Sequence, residues 1–337
     1  MVLSALGIMA MLWAVGGYLK WPKSMVWSLI ALAYLAVLGL QLALPQGDAT
    51  PLAMLGGAGV LVGIYVLGLA KLKSRVPKAD EPAPQGTFRE AELERYARHI
   101  VLRELGGPGQ KRLKQARVLV IGAGGLGSPV LMYLAAAGVG TIGVIDDDFV
   151  EHTNMQRQVI HREDTMDMPK VQSAVKAMAA LNPFISLRPY QRRLTEEIAQ
   201  ELFSDYDVII DGTDNFETRY LANRVAVRLG KPLVSGALAQ WEGQLSVFDP
   251  AKGGPCYQCV FPEKPAAGLA PSCAEAGVIG PLPGVIGTMM ALETVKLIAG
   301  AGHVTRGEML IYDGLYGESR KIKLAQRSDC PICGALT

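Results

Sequence analysis

Arg117-Val-Leu-Val-Ile-Gly122-Ala-Gly124-Gly125-Leu-Gly127 is an apolar run that breaks abruptly into glycine. Arg117–Ile121 has the length and residue types of a buried strand, and Gly127–Gly138 behind it reads as a helix. Glycines at such a strand-to-helix turn let the backbone approach a phosphate, whose charge then sits at the helix N-terminus. Working outward, Thr141–Ile145 is a second strand, and Asp146 at its end stands where an acid grips a ribose hydroxyl. Val171, Ala174, Val175, Met178 and Leu181 mark one apolar helix face, closed by Asn182-Pro183. Asp207–Asp211 is another buried strand. Strands separated by helices predict an α/β fold, a Rossmann-like doubly wound parallel sheet with helices on both faces. Glu90–Leu105 reads as a helix ahead of it, Leu245–Phe248 as a later strand and Gly287–Ala299 as a buried helix, with a Pro- and Gly-rich loop over Pro262–Pro271. Gly122, Gly124, Gly125 and Gly127 point to a nucleotide, and the glycine pattern by itself does not separate ATP from NAD.

The chain has five cysteines, and four form two C-x-x-C pairs, Cys256/Cys259 and Cys330/Cys333. Two such pairs supply the four thiolates of a tetrahedral zinc site. Four protein thiolates leave no open position, so the expected Zn2+ is structural. Cys273 is left over as a candidate nucleophile.

The front of the chain is different in kind. Val2–Tyr18, Met25–Leu44 and Pro51–Leu69 are free of charge and near the length that spans a bilayer. Trp13, Tyr18, Trp21 and Trp27 lie near the first turn-around, where interfacial aromatics belong. Lys20 and Lys23 occupy the first loop, Asp48 alone the second, and Lys71, Lys73, Arg75 and Lys78 follow the third run. By the positive-inside rule this predicts three transmembrane helices over 1–70, an N-terminus outside and a cytoplasmic remainder, as in a multi-pass protein of the bacterial inner membrane. A charged, Pro-rich linker (71–88) leads to one soluble domain (89–337). The net charge of +2 implies no broad attraction to nucleic acid.

Several motifs in fixed order sharpen the nucleotide reading: Arg95-Tyr-Ala-Arg98, the glycine turn, Asn154-Met-Gln-Arg157-Gln158, Pro169-Lys170, Asp211-Gly-Thr-Asp214-Asn215, Glu242-Gly243-Gln244 and both cysteine pairs. With these pieces the chain resembles the MoeB/ThiF/HesA family of adenylyltransferases, related to ubiquitin-activating enzymes, and most of all its MoeB branch. The resemblance runs from about Leu93 to Gly334. It implies ATP-dependent adenylylation of the C-terminal glycine carboxylate of a ubiquitin-like sulfur carrier, MoaD-like or ThiS-like, with Mg2+ as cofactor. It further implies that Arg157 and Lys170 reach the phosphates with help from Asn154, that Asp214 organises magnesium, and that Asp146 takes the ribose. Thr153 and Asn215 complete the nucleotide-binding set. Arg98 matches an arginine that enters the site from a second subunit, which implies a homodimer. Cys273 matches a position where relatives carry a cysteine able to form thioester or persulfide-linked intermediates. The chain is expected to draw sulfur from a separate donor protein. Two alternatives are a membrane-tethered binding module without catalysis and an NAD-dependent oxidoreductase; the second shares the glycine turn but has no use for Arg157, Lys170 and Asp214 in this order.

Overall fold

A computed structural model describes residues 27–28, 30–31, 88–264 and 276–336. Trp27, Ser28, Ile30 and Ala31 are helical. The rest of the three apolar runs, nearly all of the linker, and Cys273 lie outside the described residues.

The domain begins with α1 (Glu90–Ile100) and α2 (Gly106–Gln115). The helix expected over Glu90–Leu105 ends early because Val101, Leu102, Arg103 and Glu104 are all exposed, so further turns would bury nothing. Leu105 then turns into the core. Helix α1 is held by buried contacts. Glu92 accepts both from its own N-cap backbone at Arg89 and from Lys114 Nζ, at 2.9 and 2.7 Å. Tyr96 Oη accepts from Asn182 at 2.8 Å.

Next come β1 (Arg117–Ile121), α3 (Gly127–Ala137), β2 (Thr141–Ile145), α4 (Lys170–Leu181), β3 (Ser186–Tyr190), α5 (Glu196–Ser204), β4 (Val208–Asp211) and α6 (Phe216–Arg228). The chain continues through β5 (Leu233–Ala239), β6 (Glu242–Phe248), the single turn α7 (Tyr257–Val260), α8 (Pro281–Ala299), β7 (Glu308–Asp313) and β8 (Glu318–Lys323). All eight strands form one sheet in the order β3-β2-β1-β4-β5-β6-β7-β8.

Strands β1 to β5 pair in parallel, as the alternation of strands and helices predicts. Val118 and Val120 pack on one side with α3, α4 and α8, while Leu119 and Ile121 pack on the other with α5 and α6. Both faces of the strand are therefore apolar, which explains the unbroken run RVLVI. The expected doubly wound sheet needs one correction. Strands β6, β7 and β8 run antiparallel to their neighbours, so the second half is a meander joined edge-on to the nucleotide-binding half. A hairpin this tight, with Ala239 opposite Glu242, leaves no room for a crossover helix.

Helix α8 is, among the described residues, the one helix long and apolar enough to cross a membrane, and half of that stretch is buried within the domain. Ile286, Met290 and Ala291 join the core cluster beside α3. Its apolar length is that of a core helix covering the sheet.

Candidate active site

The order in which strands are added reverses beside β1: β2 and β3 lie on one side, β4 and β5 on the other, all parallel. Ligands of open α/β sheets bind at the carboxyl ends of the strands at such a switch point. A cavity of about 910 Å³ opens there, lined by the glycine turn, Asp146, Arg157, Lys170 and Asp214.

The turn is built by two glycines. Gly122 has φ +93° and donates its N–H to Ile145 O at 2.9 Å. Gly127 starts α3 so close to the turn that a Cβ would lie 2.0 Å from Gly122 O. The turn is also held from behind. His161 is buried, with Nε2 2.9 Å from Ala123 O and Nδ1 2.9 Å from Ser173 Oγ. A carbonyl only accepts, so Nε2 carries the hydrogen. Burial holds the His161 pKa below its usual value, which keeps the ring neutral. His161 is spent on the backbone and is not part of the cavity lining.

Asp146 closes the turn from the next strand. Its Oδ2 accepts from Ala123 N at 2.7 Å and its Oδ1 from Asp148 N at 2.8 Å. Burial raises its pKa, opposed by the Ala123 N–H and by the positive charge of Lys170. Lys170, at the start of α4, is 6% exposed in its side chain and reaches Asp148 Oδ2 at 2.8 Å, a carboxylate 67% exposed. A buried cation with a solvent-exposed partner can exchange that partner for a phosphate at small cost. Arg157 is aimed by its neighbours: Nη2 donates to Asn154 Oδ1 at 2.7 Å and Nη1 to Thr153 O at 3.2 Å. Thr153 and Asn154 themselves lie outside the cavity lining and act behind Arg157. Asp214 is exposed at the cavity wall, on the loop after β4. Asn215 lines the wall as well, and its Oδ1 caps α6 by accepting from Thr218 N at 2.9 Å. Arg98 lies on the exposed side of α1 and is not part of the lining.

Besides His161, three residues that shape this site had no role assigned from the sequence, although Gln158 stands in one of the quoted motifs. Arg219, buried in α6, donates to Thr213 O and, at 2.8 Å, to Gly236 O. Its guanidinium lies 3.7 Å from the fully buried Asp211 carboxylate, which also accepts from Ser235 Oγ and Thr213 Oγ1 at 3.0 and 2.6 Å. This network fixes the loop that presents Asp214. Gln158 is buried in the lining, and its Oε1 has no hydrogen-bond partner among the described residues. Tyr257 forms part of the wall, its ring packed edge-on against Tyr220 and Phe248. One sequence signal was present for Arg219: it lies one turn after the Asp211–Asn215 motif, at the i+4 position from Asn215.

A second cluster lies at the far end of α6. Cys256, Cys259, Cys330 and Cys333 are all buried and free of disulfides. Their sulfurs are 3.9, 3.6 and 3.3 Å apart across Cys256–Cys259, Cys256–Cys330 and Cys259–Cys333. The edge of a zinc–thiolate tetrahedron is about 3.8 Å. The buried Nδ2 of Asn223 beside them has no hydrogen-bond partner among the described residues, as expected where an anionic acceptor forms only with the metal. These four residues fit zinc, and the bridge they make ties the chain's end to its middle.

With this geometry in hand, comparison with known proteins is direct. A profile of the ThiF family matches residues 96–332. A sulfur carrier protein adenylyltransferase of Thermus thermophilus is 49% identical over 247 residues, which are 72% of this chain and 91% of that protein. The SAMP-activating enzyme E1 of Haloferax volcanii is 45% identical over 243 residues, 72% of this chain and 89% of that one. Among solved structures, E. coli MccB crystallised with MccA-N7isoASN shares the fold, with a TM-score of 0.62 at 20% identity, covering 74% of this chain and 76% of that one.

Proposed function

Since the chain belongs to the ThiF family, we propose that it uses ATP to adenylylate the C-terminal glycine carboxylate of a ubiquitin-like sulfur-carrier protein and so activates that carrier for sulfur transfer. The observation that carries this reading is the convergence of the glycine turn, Arg157, Lys170 and Asp214 on one cavity.

The chemistry follows from charge. A carrier's terminal carboxylate is ionised at neutral pH, so attack on the α-phosphorus needs no general base. The carboxylate oxygen forms the new bond, the bond to the bridging oxygen breaks, and pyrophosphate leaves with that electron pair. What the site must supply is alignment and cancellation of repulsion between two anions. Lys170 supplies a buried cation whose present partner, Asp148, is exposed. Arg157 supplies a second, already oriented by Asn154. Asp146 accepts from the ribose hydroxyls, and the backbone N–H groups at the N-terminus of α3 donate to the phosphates. Asp214 is the carboxylate suited to hold magnesium, which when bound would supply positive charge to stabilise the leaving pyrophosphate. Zinc serves architecture, held by the four buried cysteines.

Two further parts of the reading concern assembly. Arg98 is exposed on α1, as suits a residue offered to the cavity of a second copy in a homodimer. The three apolar runs of residues 1–70 anchor the chain in a membrane with the domain on the cytoplasmic side. Cys273 is the thiol suited to attack the acyl-adenylate, with AMP as leaving group.

ATP–pyrophosphate exchange tests the central claim. Exchange should require magnesium and a carrier with its terminal glycine intact. Absence of exchange, with binding of a nicotinamide dinucleotide instead of ATP, would overturn it. Sulfur transfer that is unchanged in Cys273→Ala removes the thiol from the scheme. Sedimentation of the full chain with membranes, and its loss from that fraction when 1–70 are deleted, tests the anchor.

A further inference from the structure

Asn223 is 1% exposed and lies in α6, one turn beyond Arg219. Its two amide atoms face different tasks. Oδ1 accepts from Tyr257 N at 2.9 Å. Nδ2 is buried and without a hydrogen-bond partner among the described residues. The residue next to Tyr257 is Cys256, so this amide lies against the backbone that carries one sulfur of the cluster. An unpaired buried amide is costly, on the order of 1–3 kcal/mol, unless an acceptor forms. A thiolate is such an acceptor, and Cys256 becomes one when it binds metal.

Other sulfurs of the cluster already receive N–H groups. Arg327 N donates to Cys259 Sγ at 3.5 Å, and Gln326 Nε2 to Cys333 Sγ at 3.7 Å. Asn223 differs from these donors in where it leads. Cys256 and Tyr257 are adjacent, so the amide is bonded to a residue that follows a metal ligand and also forms part of the nucleotide cavity wall. On the same side of α6, Arg219 binds the carbonyls of Thr213 and Gly236 and lines that same cavity.

We propose that Asn223 is a positioning residue that couples metal occupancy to the nucleotide cavity, its Nδ2–H donating to the metal-bound Cys256 thiolate while its Oδ1 pins Tyr257. This rests on the zinc reading given above. With the metal bound, both halves of the amide are satisfied and the Tyr257 ring is fixed against Tyr220 and Phe248. Without the metal, nothing holds the Cys256 sulfur in place against Nδ2, and the amide is fixed on one side only.

The test uses the full-length chain, as wild type, Asn223→Asp and Asn223→Leu. Both variants are near-isosteric: Asp keeps the acceptor for Tyr257 N and sets a negative oxygen against the thiolate, while Leu removes both bonds. Zinc content, the rate of zinc release to a chromophoric chelator, the thiolate-to-metal absorption band after cobalt substitution, and the ATP dissociation constant are measured. Zinc release should quicken by about tenfold or more in both variants, as for lost outer-shell partners of metal ligands. The cobalt band of Asn223→Leu should move to longer wavelength, because an unbonded thiolate gives up charge more readily. Zinc removal from the wild type should weaken ATP binding, and this measurement stands even if neither variant folds. A wild type without zinc overturns the zinc reading itself. One zinc per chain, with variant release rates within about twofold of wild type, overturns the role of Asn223. Unchanged ATP affinity after zinc removal overturns the coupling.

Discussion

At the carboxyl ends of β1, β2 and β4, the charged side chains lean on partners they can give up; at the four cysteines, nothing is left to give up. Lys170 is paired with an exposed aspartate, Asp214 stands exposed, and Gln158 carries an unpaired buried oxygen. The cysteines are enclosed, and N–H donors are already aimed at their sulfurs. The first arrangement suits a guest that comes and goes, and its cations are neutralised weakly enough to be taken over. The second suits a resident ion. Helix α6 touches both, with its capped N-terminus at the cavity and Asn223 at the cysteines.

Substitutions should separate the two corners by what they damage. Cys330→Ser should cost the most: zinc is lost, and the melting temperature falls by roughly 10 °C or more, as removal of several kcal/mol does in a domain of this size. Calorimetry and metal analysis read this out. Lys170→Met should do the reverse. ATP–pyrophosphate exchange should fall by roughly 10²–10³-fold, the scale for one lost electrostatic contact to a transition state, while melting changes little because Asp148 is solvated. If melting and exchange fell together in Lys170→Met, the contrast between the corners would fail.

Asn215→Ala lies between these extremes. It removes the α6 cap, at about 1 kcal/mol, and should lower melting by about 2–4 °C. It should also raise the KM for ATP, since the capped end carries the Asp214 loop; a change in melting alone would confine Asn215 to the helix. The smallest effect concerns pH. Burial lowers the His161 pKa in the folded state, so the unfolded chain binds the proton more readily. Stability therefore drops as pH falls from the ordinary histidine value toward the depressed one, and is retained above it. His161→Gln keeps a donor for Ala123 O and should flatten that slope between pH 7 and 5. Equal slopes by chemical denaturation in both proteins would show that the turn does not depend on a neutral ring.

Local pattern explains what could be read in advance. RVLVI, the glycine turn and the apolar face of α4 each declare themselves within about a dozen residues, and all appear where expected. Strand β8, Glu-Ser-Arg-Lys-Ile-Lys, is exposed at every position and is a strand only because β7 lies beside it. Strand β3 carries a proline and two half-buried flanks at the sheet's other edge, so neither period nor composition marks it. Helix α2 opens with Gly-Gly-Pro, a sequence that reads as a turn. The site divides in the same way. Arg157, Lys170 and Asp214 belong to motifs, and Arg219 follows one by a helical turn, whereas His161 acts on the Ala123 carbonyl, brought near by topology, which no spacing along the chain records.

The docking of α1 has a mechanical meaning. Any tension arriving along the chain from its N-terminal side reaches Phe88 and Arg89 first, and there the Glu92–Lys114 and Tyr96–Asn182 bonds, together with the Phe88 ring against Tyr96 and Lys114, take up the force. Those partners belong to α2 and to the residue closing α4, and Asn182 passes the contact on to Ala135 O of α3, so a tug is shared among several helices of the domain.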